Sequence, residues 1–159
     1  VNEMGEVPVL QHDGVKLAQS GVILDYLAEL TRKHGPKSDD ERREVWRWIL
    51  FDNHKLTANL ATLRFLIQFA KSGETPVTEF LRARATTALK IVDGHLASNP
   101  FIIGKRVTIA DFSMCGYLFY GDELTVPLEP YVNVLKWLDR ISSLPGWKHP
   151  YDLMPRGRA

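Results

Sequence analysis

The sequence predicts a mainly α-helical fold that begins with a small β-β-α unit. Two short runs of β-favouring residues, 7–10 and 15–18, lie on either side of an Asp13-Gly14 pair. Such a pair favours a tight hairpin turn, because glycine adopts a positive φ at little cost. Beyond residue 19, apolar residues recur at helical spacing between Gly and Pro breakers, which predicts a bundle of helices.

The first helix is predicted to take Ser20 as its N-cap and to end before the break at residues 34–36. Residues 37–41 are polar and favour a linker between two parts of the chain. We therefore predict an N-terminal domain at residues 1–36 and an all-helical domain at residues 37–159.

Four further helices are predicted in the second part, each from an apolar stripe and the breaker that ends it. They are a long helix over residues 40–70, a helix that begins at Pro76 and ends before Asn99, an apolar helix over 109–120, and a helix that begins near Pro130 and ends before 144. The tail, residues 147–159, is predicted to be extended or partly disordered.

Charge and cysteine content exclude several classes of function. The 159 residues carry a formal net charge of +1, and the cations are scattered among acids, which argues against a nucleic-acid-binding protein or an anionic membrane partner. The chain has a single cysteine, which suits a reducing compartment. No signal peptide or membrane-spanning run is recognisable, so a cytoplasmic location is expected.

Thr108 and Asp111 form a predicted capping box at the start of the apolar helix, in which Asp111 returns to the N–H of Thr108. We interpret this box as a structural device. Cys115 lies on the same helix with no basic neighbour, which predicts a buried, unreactive thiol. The histidines are too dispersed for a metal site, so no metal is expected.

Five motifs, in this order, resemble the bacterial-type glutathione transferase family, and the resemblance covers nearly all of the chain. They are Gly-x-Val-Pro at residues 5–8, the pair Gln19 and Ser20, Ile-Leu-x-Tyr-Leu at 23–27, Gly-x-x-x-Thr-x-x-Asp at 104–111, and Leu-Pro-Gly-Trp at 144–147.

The resemblance implies a glutathione transferase-like fold: a partial, thioredoxin-like β-β-α piece followed by the helical bundle. It also implies a glutathione-binding site. A cis Val7-Pro8 bond would leave Val7 to pair with the cysteinyl backbone of glutathione, while Gln19 and Ser20 would hold the γ-glutamyl end. Judged from the residues alone, a hairpin-closing proline and an ordinary serine cap are the alternative.

In the family, a Tyr, Ser or Cys near the N-terminus stabilises the glutathione thiolate. No residue of this sequence matches that position, so the resemblance implies no catalytic residue here. The chain is expected to lack the N-terminal β-α-β portion of the thioredoxin-like domain and to be weakly active or inactive by itself.

The resemblance also places a second-substrate pocket beside the long helix. Asp52, Asn53 and His54 either line that pocket or form a surface cluster, and Tyr117, like Tyr120, either faces it or fills the core.

The implied function is conjugation of glutathione, as co-substrate, to a small hydrophobic electrophile, or a related peroxidase or thiol-exchange step, in a detoxifying homodimer. The alternative is a non-catalytic module of the same fold that serves binding or dimerisation.

Overall fold

The computed structural model of the chain describes residues 2–154, apart from the side chain of Asp122. Helices dominate the fold, and a two-stranded antiparallel sheet lies at its N-terminal end. In chain order the elements are β1 (Val9–His12), β2 (Val15–Ala18), α1 (Ser20–Thr31), α2 (Asp39–Phe51), a π turn (Asp52–Leu56), α3 (Thr57–Arg64), a second π turn (Phe65–Phe69), α4 (Pro76–Leu96), α5 (Ile109–Cys115), a 3₁₀ segment (Gly116–Leu124), α6 (Val132–Ser142) and α7 (Pro150–Leu153).

The hairpin forms where the sequence predicts it, in a slightly different register. Val9 pairs with Ala18, and the two strands are joined by Asp13 and Gly14 alone, with φ of 46° and 77°. Positive φ at both positions is what the tightest hairpin turn requires. The first strand therefore starts at Val9 rather than at residue 7, since Pro8 has no N–H to donate to a ladder.

The predicted long helix runs from Asp39 to Phe69, but π turns interrupt it twice. Its apolar stripe is buried as expected, with Leu56, Leu60 and Leu63 fully enclosed. Each π turn adds one residue to the local repeat, and such turns are frequent at functional sites. The hydrophobic period of a sequence does not reveal an insertion of one residue, so the interruption at Asp52 was not predicted.

Helix α5 lies in the centre of the bundle, against α1 and α2, as its apolar composition predicts. The predicted continuation to Tyr120 as regular helix is wrong. From Gly116 the chain tightens into a 3₁₀ segment, which is broken at Gly121, where φ is 55° and ψ is −125°. Both backbone angles there lie outside the helical region, so the segment consists of two short pieces.

The C-terminal segment is more ordered than the sequence suggests. Residues 150–153 form the short helix α7, and the His149 ring lies 2.9 Å from the carbonyl oxygen of Phe119 through Nε2. The prediction of an extended tail is therefore wrong for residues 150–153, whereas residues 147–149 have no regular secondary structure and residues 155–159 lie outside the described part of the chain. Within residues 2–154, no helix combines the length and the apolar character needed to cross a bilayer.

Candidate functional site

A cleft of about 590 Å³ separates the hairpin and α1 from the helical bundle. That volume is typical of a small-molecule site. The N-terminal wall consists of Glu6, Val7, Pro8, Gln19, Ser20, Ile23 and Leu24, and the bundle wall consists of Asp52, Asn53, Thr57, Phe112, Ser113, Gly116, Tyr117, Tyr120 and Pro150.

Val7 lines the cleft, and its backbone polar groups are unpaired within residues 2–154. The Val7-Pro8 peptide bond is cis, and Val7 is 90% exposed. The β ladder begins only at Val9, and among the described residues neither the N–H nor the C=O of Val7 has a hydrogen-bond partner. An extended ligand backbone can use both groups, as an added strand would.

Gln19 and Ser20 lie at the junction between β2 and α1. Gln19 flanks the helix as its N-cap residue, with φ of 69°, and its side-chain amide donates to the carboxylate of Glu6 at 2.8 Å. The prediction that Ser20 is the N-cap is wrong: Ser20 is the first helical residue, because the backbone turns one residue earlier. Its hydroxyl has no hydrogen-bond partner within residues 2–154, so it is free to bind a ligand next to the open N–H groups of the first turn.

Asp52 lies at the base of the bundle wall, on the π turn between α2 and α3. Asp52 is almost completely buried, with only 1% of its surface exposed. The hydroxyls of Thr57 and Ser113 donate to its two carboxylate oxygens, each at 2.7 Å. Burial raises the pKa of Asp52 to about 6, although these hydrogen bonds favour the ionised form. A carboxylate with a raised pKa that lines a cleft is typical of a functional position.

Asn53 and Tyr117 also line the cleft, whereas His54 does not. Asn53 is exposed there and donates its amide to the carbonyl of Ile49 at 2.9 Å. Tyr117 and Tyr120 are half-buried: both pack against the core, and both also line the cleft. His54 is exposed and lies outside the cleft lining.

An ion-pair network that the sequence does not reveal supports Tyr120. The Arg64 guanidinium lies 4.1 Å from the centroid of the Tyr120 ring and donates to one carboxylate oxygen of Glu123 at 2.6 and 3.0 Å. It also donates to the hydroxyl of Tyr151 at 3.0 Å. These groups are 59 and 87 residues apart from Arg64 along the chain. No local pattern could connect them.

The capping-box carboxylate and the cysteine serve the core. Asp111 is fully buried and accepts from the N–H of Thr108 at 2.7 Å, from Ile102 N–H at 2.8 Å and from the indole of Trp137 at 2.9 Å. Cys115 is buried, and desolvation, with Asp111 and Asp52 nearby, raises the pKa of its thiol to about 12. Such a thiol does not form the reactive thiolate. Within residues 2–154, no three His, Cys, Asp or Glu side chains are grouped to hold a metal ion.

Ser113 and Thr57 are the hydroxyl-bearing cleft residues of the bundle wall that sequence reasoning missed and that contact Asp52. Ser113 is a lone hydroxyl within the apolar helix α5, and Thr57 lies five residues after Asp52. A hydroxyl two residues beyond the capping-box carboxylate, in a helix whose other residues are apolar, was an available signal for Ser113. For Thr57 there was none, because the π turn sets its position relative to Asp52.

Comparison with known proteins agrees with this architecture. The family model described as the C-terminal domain of glutathione S-transferase matches residues 56–145, and the model of the N-terminal domain matches residues 1–29. The crystal structure of a glutathione S-transferase from Xanthobacter autotrophicus superimposes with a TM-score of 0.84 at 31% identity, covering 94% of this chain and 74% of that one.

Two kinds of curated relative are similar to the chain. Glutathione S-transferase 3 of Schizosaccharomyces pombe is 26% identical, covering 91% of this chain and 66% of the relative. Elongation factor 1-gamma-B of Xenopus laevis is 27% identical, covering 84% of this chain and 31% of the factor. The chain thus spans about two thirds of the first and a third of the second. The C-terminal family model alone matches more than half of the chain, which therefore belongs to the glutathione S-transferase family.

Proposed function

We propose that this protein binds glutathione in the cleft and takes part in its transfer to an electrophile. The observation that carries the proposal is that Val7, Gln19 and Ser20, which the family resemblance implies as glutathione-binding residues, line one cleft together with a separate polar and aromatic wall. Pro8 completes this N-terminal wall. The bundle wall, with Asp52, faces the second substrate.

Two of the three residues of glutathione, the γ-glutamyl and the cysteinyl residue, have matching groups on the N-terminal wall. The backbone N–H and C=O of Val7 pair with the cysteinyl backbone in the manner of an added strand. The Ser20 hydroxyl and the positive end of α1 hold the γ-glutamyl carboxylate. Gln19 binds the γ-glutamyl end after its amide has released the carboxylate of Glu6. That hydrogen bond is exposed to solvent, so exchanging it for one to the ligand costs little free energy.

The proposed chemistry is attack by the glutathione sulfur on an electrophilic carbon. A carbon–sulfur bond forms and the thiol proton passes to solvent; in a substitution the leaving group departs with its electron pair, and in an addition the displaced π electron pair takes up a proton from solvent. The bundle wall contributes by orienting a small hydrophobic electrophile through Asn53, Tyr117 and Tyr120. Thiolate stabilisation is assigned to none of the described residues, and we propose weak or no turnover for this chain by itself. A peroxidase or thiol-exchange reaction would use the same glutathione-binding residues of the N-terminal wall.

Calorimetric titration with glutathione tests the proposal. We expect binding to the wild-type protein and a loss of roughly ten- to a hundredfold in affinity for Ser20→Ala, because a hydrogen bond to a charged ligand group contributes roughly 1.5–3 kcal/mol. The matched control is Ser98→Ala, an exposed serine just beyond the end of α4. Absence of binding heat with the wild-type protein, or an equal loss in both variants, would contradict the proposal.

The second candidate function is a non-catalytic module, and the likeness to elongation factor 1-gamma favours it. In this reading the fold serves dimerisation or docking. A groove of about 440 Å³ between α2 and α4, with Phe80 and Ile91 exposed on its α4 side, offers an apolar surface for a second copy of the chain. A protein that sediments as a dimer and gives no heat with glutathione would support the module. We propose a homodimer in either case.

The remaining parts of the proposal concern the setting of the protein. We propose a cytoplasmic location, consistent with a single, buried cysteine, and a role in detoxification with glutathione as co-substrate. We propose no metal, nucleic acid or membrane as partner, on the dispersed histidines and the near-zero net charge.

A further inference from the structure

The cleft is acidic. Its ionisable carboxyl groups are Glu6 on the N-terminal wall and Asp52 on the bundle wall, and among the described residues that line it there is no Lys, Arg or His. Because the walls are partly apolar, the field of these carboxylates is screened less than it would be on an open surface. At the bundle wall, away from the positive end of α1, a cationic group is therefore favoured over an anionic one.

Asp52 acts on the cleft through two hydroxyls. Thr57 and Ser113 each donate their hydrogen to the buried carboxylate, so their oxygen lone pairs remain for a ligand. At pH 7.5 the carboxylate is ionised, since burial raises its pKa only to about 6. The bundle wall thus presents hydrogen-bond acceptors backed by a negative charge.

Aromatic rings line the same wall. Phe112, Tyr117 and Tyr120 offer apolar surface and ring faces, which attract both aromatic groups and organic cations. Arg64 stacks on Tyr120 but does not line the cleft, and Glu123 pairs with its charge at 2.6 Å. The cation behind the ring therefore does not reverse the charge preference of the cleft.

We propose that the second substrate is an aromatic electrophile that carries a cationic or hydrogen-bond-donating group, and that Asp52, acting through Ser113 and Thr57, determines this preference. The proposal rests on the proposed function for the identity of the first substrate. It assigns the γ-glutamyl and cysteinyl parts of glutathione to the N-terminal wall and the polar end of the electrophile to the bundle wall. Anionic electrophiles are disfavoured.

Three unreactive probes of similar size test the charge preference: 2-phenylethylammonium, 2-phenylethanol and 3-phenylpropanoate. Their dissociation constants are measured by NMR titration at pH 7.5, with and without saturating S-methylglutathione. We expect the ammonium to bind the wild-type protein about tenfold more tightly than the carboxylate, with the alcohol between them. Asp52→Asn, which keeps the shape of the side chain, should reduce the ratio to about one.

Two further variants separate Asp52 from a general effect of charge. Glu6→Gln removes the other carboxylate of the cleft and should leave most of the preference in place. Asp139→Asn removes an exposed carboxylate on α6 and should change nothing. An equal loss of preference in Glu6→Gln and Asp52→Asn would overturn the assignment to Asp52.

A measurement on the wild-type protein keeps the proposal testable if Asp52→Asn does not fold. Intermolecular NOEs should connect the CH₂ next to the ammonium of the probe with the side-chain protons of Ser113 and Thr57. NOEs that instead place the ammonium at Pro150, or a wild-type protein without any preference among the probes, would overturn it. If the wild-type protein does not bind S-methylglutathione but still prefers the ammonium probe to the carboxylate probe, the result would count against the proposed function alone.

Discussion

The N-terminal wall of the cleft offers backbone groups and exposed side chains, whereas the bundle wall offers side chains that partly buried hydrogen bonds hold in place. On the first wall Val7 is 90% exposed, and on the second Asp52 is 1% exposed. A wall made of backbone tolerates many side chains, so a short motif is enough to identify it. A wall made of side chains depends on contacts between distant helices. We infer that the first wall defines the family ligand and the second defines what is particular to this protein.

The largest expected difference between the two regions is in stability. Asp111→Ala removes the acceptor for four buried donors: the N–H and the hydroxyl of Thr108, the N–H of Ile102 and the indole of Trp137. Each unpaired donor costs about 1–3 kcal/mol, and the Thr108 hydroxyl can turn to another acceptor, so the free energy of unfolding should fall by at least about 3 kcal/mol. Urea unfolding measures this loss. Asp139→Ala, at an exposed site on α6, should stay within about 0.5 kcal/mol of the wild type.

A loss of less than about 1 kcal/mol for Asp111→Ala would contradict the role given to this carboxylate. It would also weaken the comparison between the two walls of the cleft. Helix α5 begins at this capping box and carries Phe112 and Ser113 of the bundle wall, so the box is expected to hold that wall in place.

Asp52→Asn is expected to have an effect of intermediate size and opposite sign. The pKa of Asp52 is about 6 in the folded protein, whereas the unperturbed value, which applies to the unfolded chain, is 3.8. The folded state therefore holds its proton more tightly: the stability that the protonated group contributes is fully present below pH 3.8 and is lost as the pH rises through 6. Replacing the carboxyl removes this loss. At pH 8 the variant should be more stable by at most about 3 kcal/mol, since one pKa unit corresponds to about 1.4 kcal/mol.

The pH dependence identifies the cause of that gain. Urea unfolding of both proteins at pH 4 and pH 8 should give a difference that is small at the lower value and largest at the higher one. A variant less stable than the wild type at pH 8 would show that the carboxylate supports the fold. A more stable variant with an altered probe preference would mean that the protein keeps a destabilising charge for the use of the cleft.

The difference between the walls also explains how far the sequence could predict the site. The hairpin, α1, the apolar α5 and the capping box follow from local patterns, and the residues of the N-terminal wall were found through short motifs. The bundle wall was found only in part. Asp52, Asn53 and Tyr117 were candidates, but Thr57 and Ser113 were missed and His54 lies outside the cleft.

The physical reason for these misses is distance along the chain. Ser113 donates to Asp52 from 61 residues away, and Arg64 reaches Tyr151 across 87. Such pairs depend on the packing of α5 and α7 against the long helix, and on a π turn that leaves no trace in the hydrophobic period. Periodicity and capping rules describe one element at a time, so they do not reach contacts of this kind.

The smallest expected effect distinguishes two serines that look alike in the sequence. Ser38 is a true N-cap, since its hydroxyl accepts from the N–H of Glu41 at 3.2 Å at the start of α2. Ser20 is the first residue of α1, and its hydroxyl makes no hydrogen bond within residues 2–154. Ser38→Ala should lower the free energy of unfolding by about 1 kcal/mol, whereas Ser20→Ala should change it by less than about 0.5 kcal/mol.

Paired urea unfolding curves measure the two changes, and calorimetry with glutathione measures the two affinities. If Ser20 serves the ligand, its replacement weakens glutathione binding without weakening the fold, and Ser38→Ala does the reverse. Equal stability losses in the two variants would mean that Ser20 is an ordinary helix cap after all. The N-terminal wall would then keep the backbone of Val7 and the amide of Gln19 as its means of holding a ligand.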